Sequence, residues 1–169
     1  ISESVAYIAE RGREMVYDAE HFFDGYEADR DYALDTLRAA RDAGASTLVL
    51  CDTNGGTLTG RMAEIVKDAR ATLAADAAAK EIVWGIHTHN DAELAVANAL
   101  AAVDAGVRHV QATINGYGER AGNANMVSLL ANLALKTQHR VAGAANLADL
   151  SRLSHEVAEI ANLAPDDHQ

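Results

Sequence analysis

The sequence contains a single cysteine, Cys51, out of 169 residues. One thiol can neither close an internal disulfide nor build a thiolate metal cage. Basic residues are also scarce, with 14 Lys and Arg against 25 Asp and Glu and a net charge of −11. Such a surface repels phosphate backbones, so nucleic acid is not an expected partner. No apolar run approaches the roughly 20 residues of a membrane span, and no charged, apolar, small-residue leader precedes the pattern. A chain without membrane contact, in a reducing cytoplasm, is the expectation. The sequence opens on Ile1 rather than Met, as a processed product or an excerpt would. What remains is ordinary for one globular domain with a real core: 17.9 kDa, 49% hydrophobic and 23% charged.

Three glycines stand in matching contexts: Gly12 in AERGREMVYDAE, Gly44 in AARDAGASTLVLCD and Gly106 in AAVDAGVRHVQATI. They lie 32 and 62 residues apart, the second interval being two steps of 31. The intervening copy is AAAKEIVWGIHT around Lys80, which lacks the glycine. Each copy reads as a helix, a glycine at its C-terminus where left-handed backbone is cheap, then a short apolar strand. About 31 residues is the length of one strand–helix unit. Strands are expected at 15–17, 48–51, 82–86 and 107–114, brief and apolar as strands covered on both faces are. Met62, Ile65, Val66, Ala69 and Leu73 recur at helical spacing, as do Leu34, Leu37 and Ala40. Four such units in series predict an α/β fold with a parallel sheet and right-handed crossovers. The repeat stops after Lys136. Residues 146–163 predict a further amphipathic helix carrying Leu147, Leu150, Leu153, Val157 and Ile160. Residues 1–140 thus read as one unit, and 141–169 as the start of a helical appendage.

In parallel strand–helix architectures the loops past the strand C-termini open on one face, where chemistry gathers. Those positions hold Glu20 and His21, then Asp52, Thr53 and Asn54, then His87, His89, Asn90 and Asp91, then Asn115, Glu119, Arg120 and Asn123. Polar residues therefore recur at one phase of all four units. His87 and His89 are two apart, so on an extended strand their rings point the same way and can hold one ion; the plainer alternative is one hydrogen-bonded buried His and one surface His. Amide and carboxylate oxygens nearby favour an octahedral Mg²⁺ or Mn²⁺ over a closed structural zinc. In TINGYGERAGNAN, the glycines let an Asn approach a ligand closely, unless Asn123 only caps the next helix and Glu119–Arg120 is only a loop ion pair. Glu20 reads either as a buried carboxylate of raised pKa or as a solvated loop acid. Asp52 reads as a possible cap of the turn 52–57, and Cys51 as a small core residue rather than a nucleophile.

The segments GIHTHNDAELAVANALAAVDAG and TINGYGERAGNAN resemble the signature of the DRE-TIM metallolyases, the metal-dependent acyl-CoA condensing enzymes that include 2-isopropylmalate, homocitrate and citramalate synthases. Within that family DAEHFFDGY and LVLCDTNGGTL are most similar to the citramalate synthase type, and the resemblance runs over about residues 2–138. It implies a TIM barrel, of which this chain would be the second half with about four strands. It also implies that His87, His89 and Asn123 are ligands of a divalent metal (Mg²⁺, Mn²⁺ or Zn²⁺), together with an Asp on the first barrel strand. Thr53 would contact the substrate carboxylate and Glu20 would be the active-site carboxylate. The substrates implied are acetyl-CoA and a 2-oxo acid, with a homodimer as the full-length form. The lyase branch uses a cysteine in the glycine-rich loop, and 116–122 contains none, which favours a synthase. On this reading residues 1–169 alone bind metal weakly and do not turn over. The alternatives are a 2-isopropylmalate or homocitrate synthase segment and a non-catalytic half-barrel that self-associates.

Overall fold

In a computed structural model, which describes residues 1–76, 81–142 and 144–164, strands and helices alternate as the repeat predicts. The order is α1 (Ser2–Ala9), β1 (Val16–Ala19), α2 (Phe22–Ala28), α3 (Arg30–Asp42), β2 (Thr47–Asp52), α4 (Thr59–Ala74), β3 (Val83–Thr88), α5 (Ala95–Asp104), β4 (His109–Gln111), α6 (Met126–Lys136) and α7 (Leu150–Ala161). Short 3₁₀ turns occupy Ile114–Gly116 and Ala144–Asp149. The four strands form one parallel sheet in the order β1-β2-β3-β4. Gly12, Gly44 and Gly106 all take left-handed backbone at the helix-to-strand turns. The repeat copy around Lys80 falls partly outside the described residues.

Alternation along the strands sorts the side chains. Leu48, Leu50, Trp84 and Ile86 face the helices and join a core with Leu34, Leu37 and Ala40 of α3, the full α4 stripe from Met62 to Leu73, and Ala95, Ala99 and Ala102 of α5. Val49 and Cys51 are equally buried but lie outside that apolar cluster, on the opposite face. That second face carries the polar groups described below.

Several boundaries differ from expectation. β1 extends to Ala19 and β3 to Thr88, so His87 lies within its strand rather than beyond it. β4 shrinks to three residues because the backbone turns into the 3₁₀ segment at Ile114. α2 occupies the segment after β1 that reads as a loop, and it buries Phe22, Phe23 and Tyr26. The last helix starts at Leu150 rather than 146, and the described residues cover its apolar stripe in part: Leu150 and Val157 are half-buried, whereas Ile160 is 86% exposed.

Candidate functional site

Strand register assembles one polar row on the face away from the helices. Cys51 pairs with His87, and His87 with Gln111, while Glu20 lies one residue past the Ala19–Leu50 pair. One layer below sit Asp18, Val49, Gly85 and His109, which are mutual register partners. His89 projects from the same face as His87. Their Nε2 atoms approach to 3.2 Å, with ring centroids 5.0 Å apart.

That separation is informative. Two imidazoles bound to one ion at about 2.1 Å hold their nitrogens about 3.0 Å apart at a right angle and about 3.4 Å apart at the tetrahedral angle. Asn123 reaches the same place through an antiparallel bridge to His89, in which directly opposed side chains share a face. Its amide Nδ2 donates to the Tyr117 carbonyl at 3.1 Å, which turns Oδ1 the other way. A side chain at Gly118 would collide with that amide, so glycine is what admits Asn123 here.

Among the described residues five buried side-chain polar atoms have no hydrogen-bond partner, and three of them are His87 Nδ1, His89 Nδ1 and Asn123 Oδ1. Buried polar atoms left unpaired are costly; of these three the Asn123 oxygen is the donor an ion could take, while the two Nδ1 atoms belong to the sides of the rings away from the converging Nε2 pair. No third His, Cys, Asp or Glu joins the two imidazoles among the described residues. A cation site built from this chain therefore takes two imidazole nitrogens and an amide oxygen, plus donors from elsewhere. That donor set fits a divalent ion.

The other strand-end residues divide by what their polar atoms already do. Asp52 turns toward the helices, is 1% exposed and accepts from the Thr57 hydroxyl at 2.8 Å. It caps the 52–57 turn, and burial pushes its carboxyl above the usual range despite those bonds. Asn54 donates to Asp24, Asn90 accepts from the Ala95 amide at the start of α5, and Asn115 exchanges two hydrogen bonds with Ser154 of α7. Helix α6 is capped by Asn125, which accepts from the Val127 amide at 3.0 Å. The capping role read for Asn123 thus belongs to its neighbour two residues on.

Glu20 and Thr53 come together as a pair. The Thr53 hydroxyl donates to Glu20 Oε2 at 2.7 Å and accepts from the His21 amide at 2.8 Å, His21 being left-handed at φ 55°. Glu20 is exposed, so the buried-carboxylate expectation does not hold. Arg120 pairs with Asp91 rather than chiefly with Glu119: the Asp91 contact is 2.9 Å and the Glu119 contact 3.6 Å. Cys51 is buried, and desolvation together with the nearby Glu20 and Asp18 carboxylates pushes its thiol up. Contrary to the core position expected for it, Cys51 is buried on the polar face, outside the apolar cluster. Sequence reasoning missed Asp18 and Gln111, whose side chains meet at 2.9 Å across the face. Stepping in twos from His87 along its neighbours in register would have found them.

The HMGL-like family profile matches residues 1–157. The (R)-citramalate synthase of Synechocystis sp. is 53% identical over 169 residues, covering 99% of this chain and 31% of that protein. The (R)-citramalate synthase of Geobacter sulfurreducens is 50% identical, covering 100% and 31%. The 2-isopropylmalate synthase of Stenotrophomonas maltophilia is 40% identical over 129 residues, covering 75% of this chain and 24% of that protein. The chain spans about a third of the length of the citramalate synthases it matches. Among solved structures, the HMG-CoA lyase of Bacillus subtilis superposes with a TM-score of 0.73 at 18% identity, covering 99% of this chain and 56% of that one. The carboxyl transferase domain of Rhizobium etli pyruvate carboxylase gives 0.71 at 21% identity, covering 95% and 26%. These likenesses establish a shared fold of TIM-barrel type. By its profile match and by relatives of up to 53% identity along its whole length, the chain belongs to the HMGL-like family.

Proposed function

We propose that this chain is the metal-holding part of an acyl-CoA condensing synthase that joins acetyl-CoA to pyruvate, giving citramalate. The observation that carries the reading is the convergence of His87 Nε2 and His89 Nε2 to 3.2 Å, with Asn123 bridged to His89 through the backbone and its buried side-chain oxygen unpartnered. His87, His89 and Asn123 would be ligands of a divalent ion, Mg²⁺, Mn²⁺ or Zn²⁺. Such an ion, when bound, polarises the ketone of a 2-oxo acid. Thr53, whose single hydroxyl proton goes to Glu20 here, would turn that proton to the acceptor carboxylate when substrate is bound, releasing Glu20. Glu20 is the carboxylate that manages protons at the reacting centre. In the reaction the acetyl methyl gives up a proton, its carbon bonds to the ketone carbon, and water then cleaves the thioester to release CoA.

Pyruvate is favoured over 2-oxoisovalerate because the citramalate synthases match at 43–53% over 96% or more of the chain, and the 2-isopropylmalate synthase of Stenotrophomonas maltophilia at 40% over 129 residues. Residues 1–140 would form the barrel portion and 141–169 the start of a helical appendage, in a cytoplasmic, homodimeric enzyme of branched-chain amino-acid synthesis. The test is CoA release by the protein in its full natural length, supplied with acetyl-CoA and pyruvate, 2-oxoisovalerate or 2-oxoglutarate in turn. Citramalate formation is expected; preference for another acceptor would move the reading to 2-isopropylmalate or homocitrate synthase. Residues 1–169 on their own are expected to show no turnover, and robust product from them would contradict the partial-site reading.

A further inference from the structure

Arg120 lies at the tip of the glycine-rich segment that carries Asn123, and its side chain reaches into both neighbouring loops. Its Nε and Nη2 meet the two oxygens of Asp91 at 2.9 and 3.0 Å, and Nη2 also donates to the Thr53 carbonyl at 2.6 Å. Asp91 stands two residues past His89. We propose that Arg120 is a positioning residue, a latch that closes the loops bearing Thr53, His89 and Asn123 into one unit. It acts through Asn123 and touches no reacting group itself.

Three independent features support a latch rather than an incidental surface pair. Arg120 is held at φ 56°, a left-handed conformation that few residues with a side chain adopt. The guanidinium is used as a fork on a carboxylate, a geometry a lysine cannot reproduce. The loops also pack tightly where they meet. A Cβ at Gly55 would lie 2.7 Å from Asp91 Oδ2 and 2.9 Å from the His89 carbonyl. The Asn90 amide donates to the Gly122 carbonyl at 2.9 Å and the Ala92 amide to the Gly55 carbonyl at 3.1 Å. Asp91 is thus the point where all three loops meet, and Arg120 is the side chain that ties the third loop to it.

The inference rests on the proposed metal reading, and the experiment separates the two. Hydrogen exchange is measured on the metal-free protein in its full natural length, for the unmodified chain, Arg120→Lys, Arg120→Met and Asp91→Asn. Amides of 116–124 should exchange at least about 10-fold faster in Arg120→Met, with those of β3 unchanged and Arg120→Lys in between. Calorimetric Mn²⁺ affinity should fall about 10- to 100-fold in Arg120→Met and Asp91→Asn, with the double variant no worse than either. Unchanged exchange in 116–124, or a rise shared equally by β3, overturns the latch. If the unmodified protein binds no Mn²⁺ the metal reading fails, and the exchange contrast still decides the latch.

Discussion

On the side of the sheet turned to the helices, Leu48, Leu50 and Ile86 are fully buried in an apolar cluster. The opposite side of the same sheet presents Asp18, Glu20, His87 and Gln111. The difference shows how one strand serves two purposes: alternate positions supply burial to one face and chemistry to the other. Substitutions on the two faces should therefore separate cleanly, one set lowering stability and the other lowering ligand affinity.

The largest effect is expected at His87. Replacing it with Ala should lower the condensing activity of the full-length protein by at least about a thousand-fold, as loss of several kcal/mol of metal contribution implies. Mn²⁺ titration should show the same loss, while the thermal midpoint stays near that of the unmodified chain. A midpoint that falls with affinity would break the division between faces. On the other side, Leu50→Ala should cost about 2–5 kcal/mol in urea unfolding through the cavity it leaves.

Cys51 sharpens the comparison because it is buried on the polar face. Desolvation first, then the Glu20 and Asp18 carboxylates, raise its thiol above the ordinary value. The folded chain thus favours the neutral thiol. This contributes stability below the free thiol's pKa and loses it as pH rises beyond, while the unfolded chain ionises. A thiol reagent at pH 8 should leave Cys51 unmodified until urea unfolds the protein; prompt labelling of the folded chain would contradict its burial. The smallest effect is expected at Asn115→Ala, which removes two hydrogen bonds to Ser154. About 1 kcal/mol of α7 docking should be lost, seen as faster limited proteolysis within 150–161.

The helix stripes were readable because every third or fourth residue from Met62 to Leu73 is apolar and all of them are buried. The strand phase was readable for the same reason, and it located the polar rim. α2 escaped because its seven residues are too few for helical periodicity to show, and its adjacent Phe22 and Phe23 suggest no single face. α7 was readable as a helix from its stripe, but a stripe records what a helix is able to bury, and Ile160 stays exposed here. At the rim, Asn90, Asn115, Asn123 and Asn125 look alike in a sequence. Three of them spend their side-chain oxygens on Ala95, Ser154 and Val127, and only Asn123 keeps a buried oxygen free. That distinction depends on partners brought together by folding, which residue spacing does not encode.

The central claim is that two imidazoles and one amide oxygen share a cation, and anomalous diffraction from crystals of the full-length protein soaked in Mn²⁺ tests it most directly. The account predicts one strong peak within about 2.0–2.3 Å of His87 Nε2, His89 Nε2 and Asn123 Oδ1. A peak bound elsewhere, or no peak while the two imidazoles stay hydrogen-bonded to each other, would contradict it.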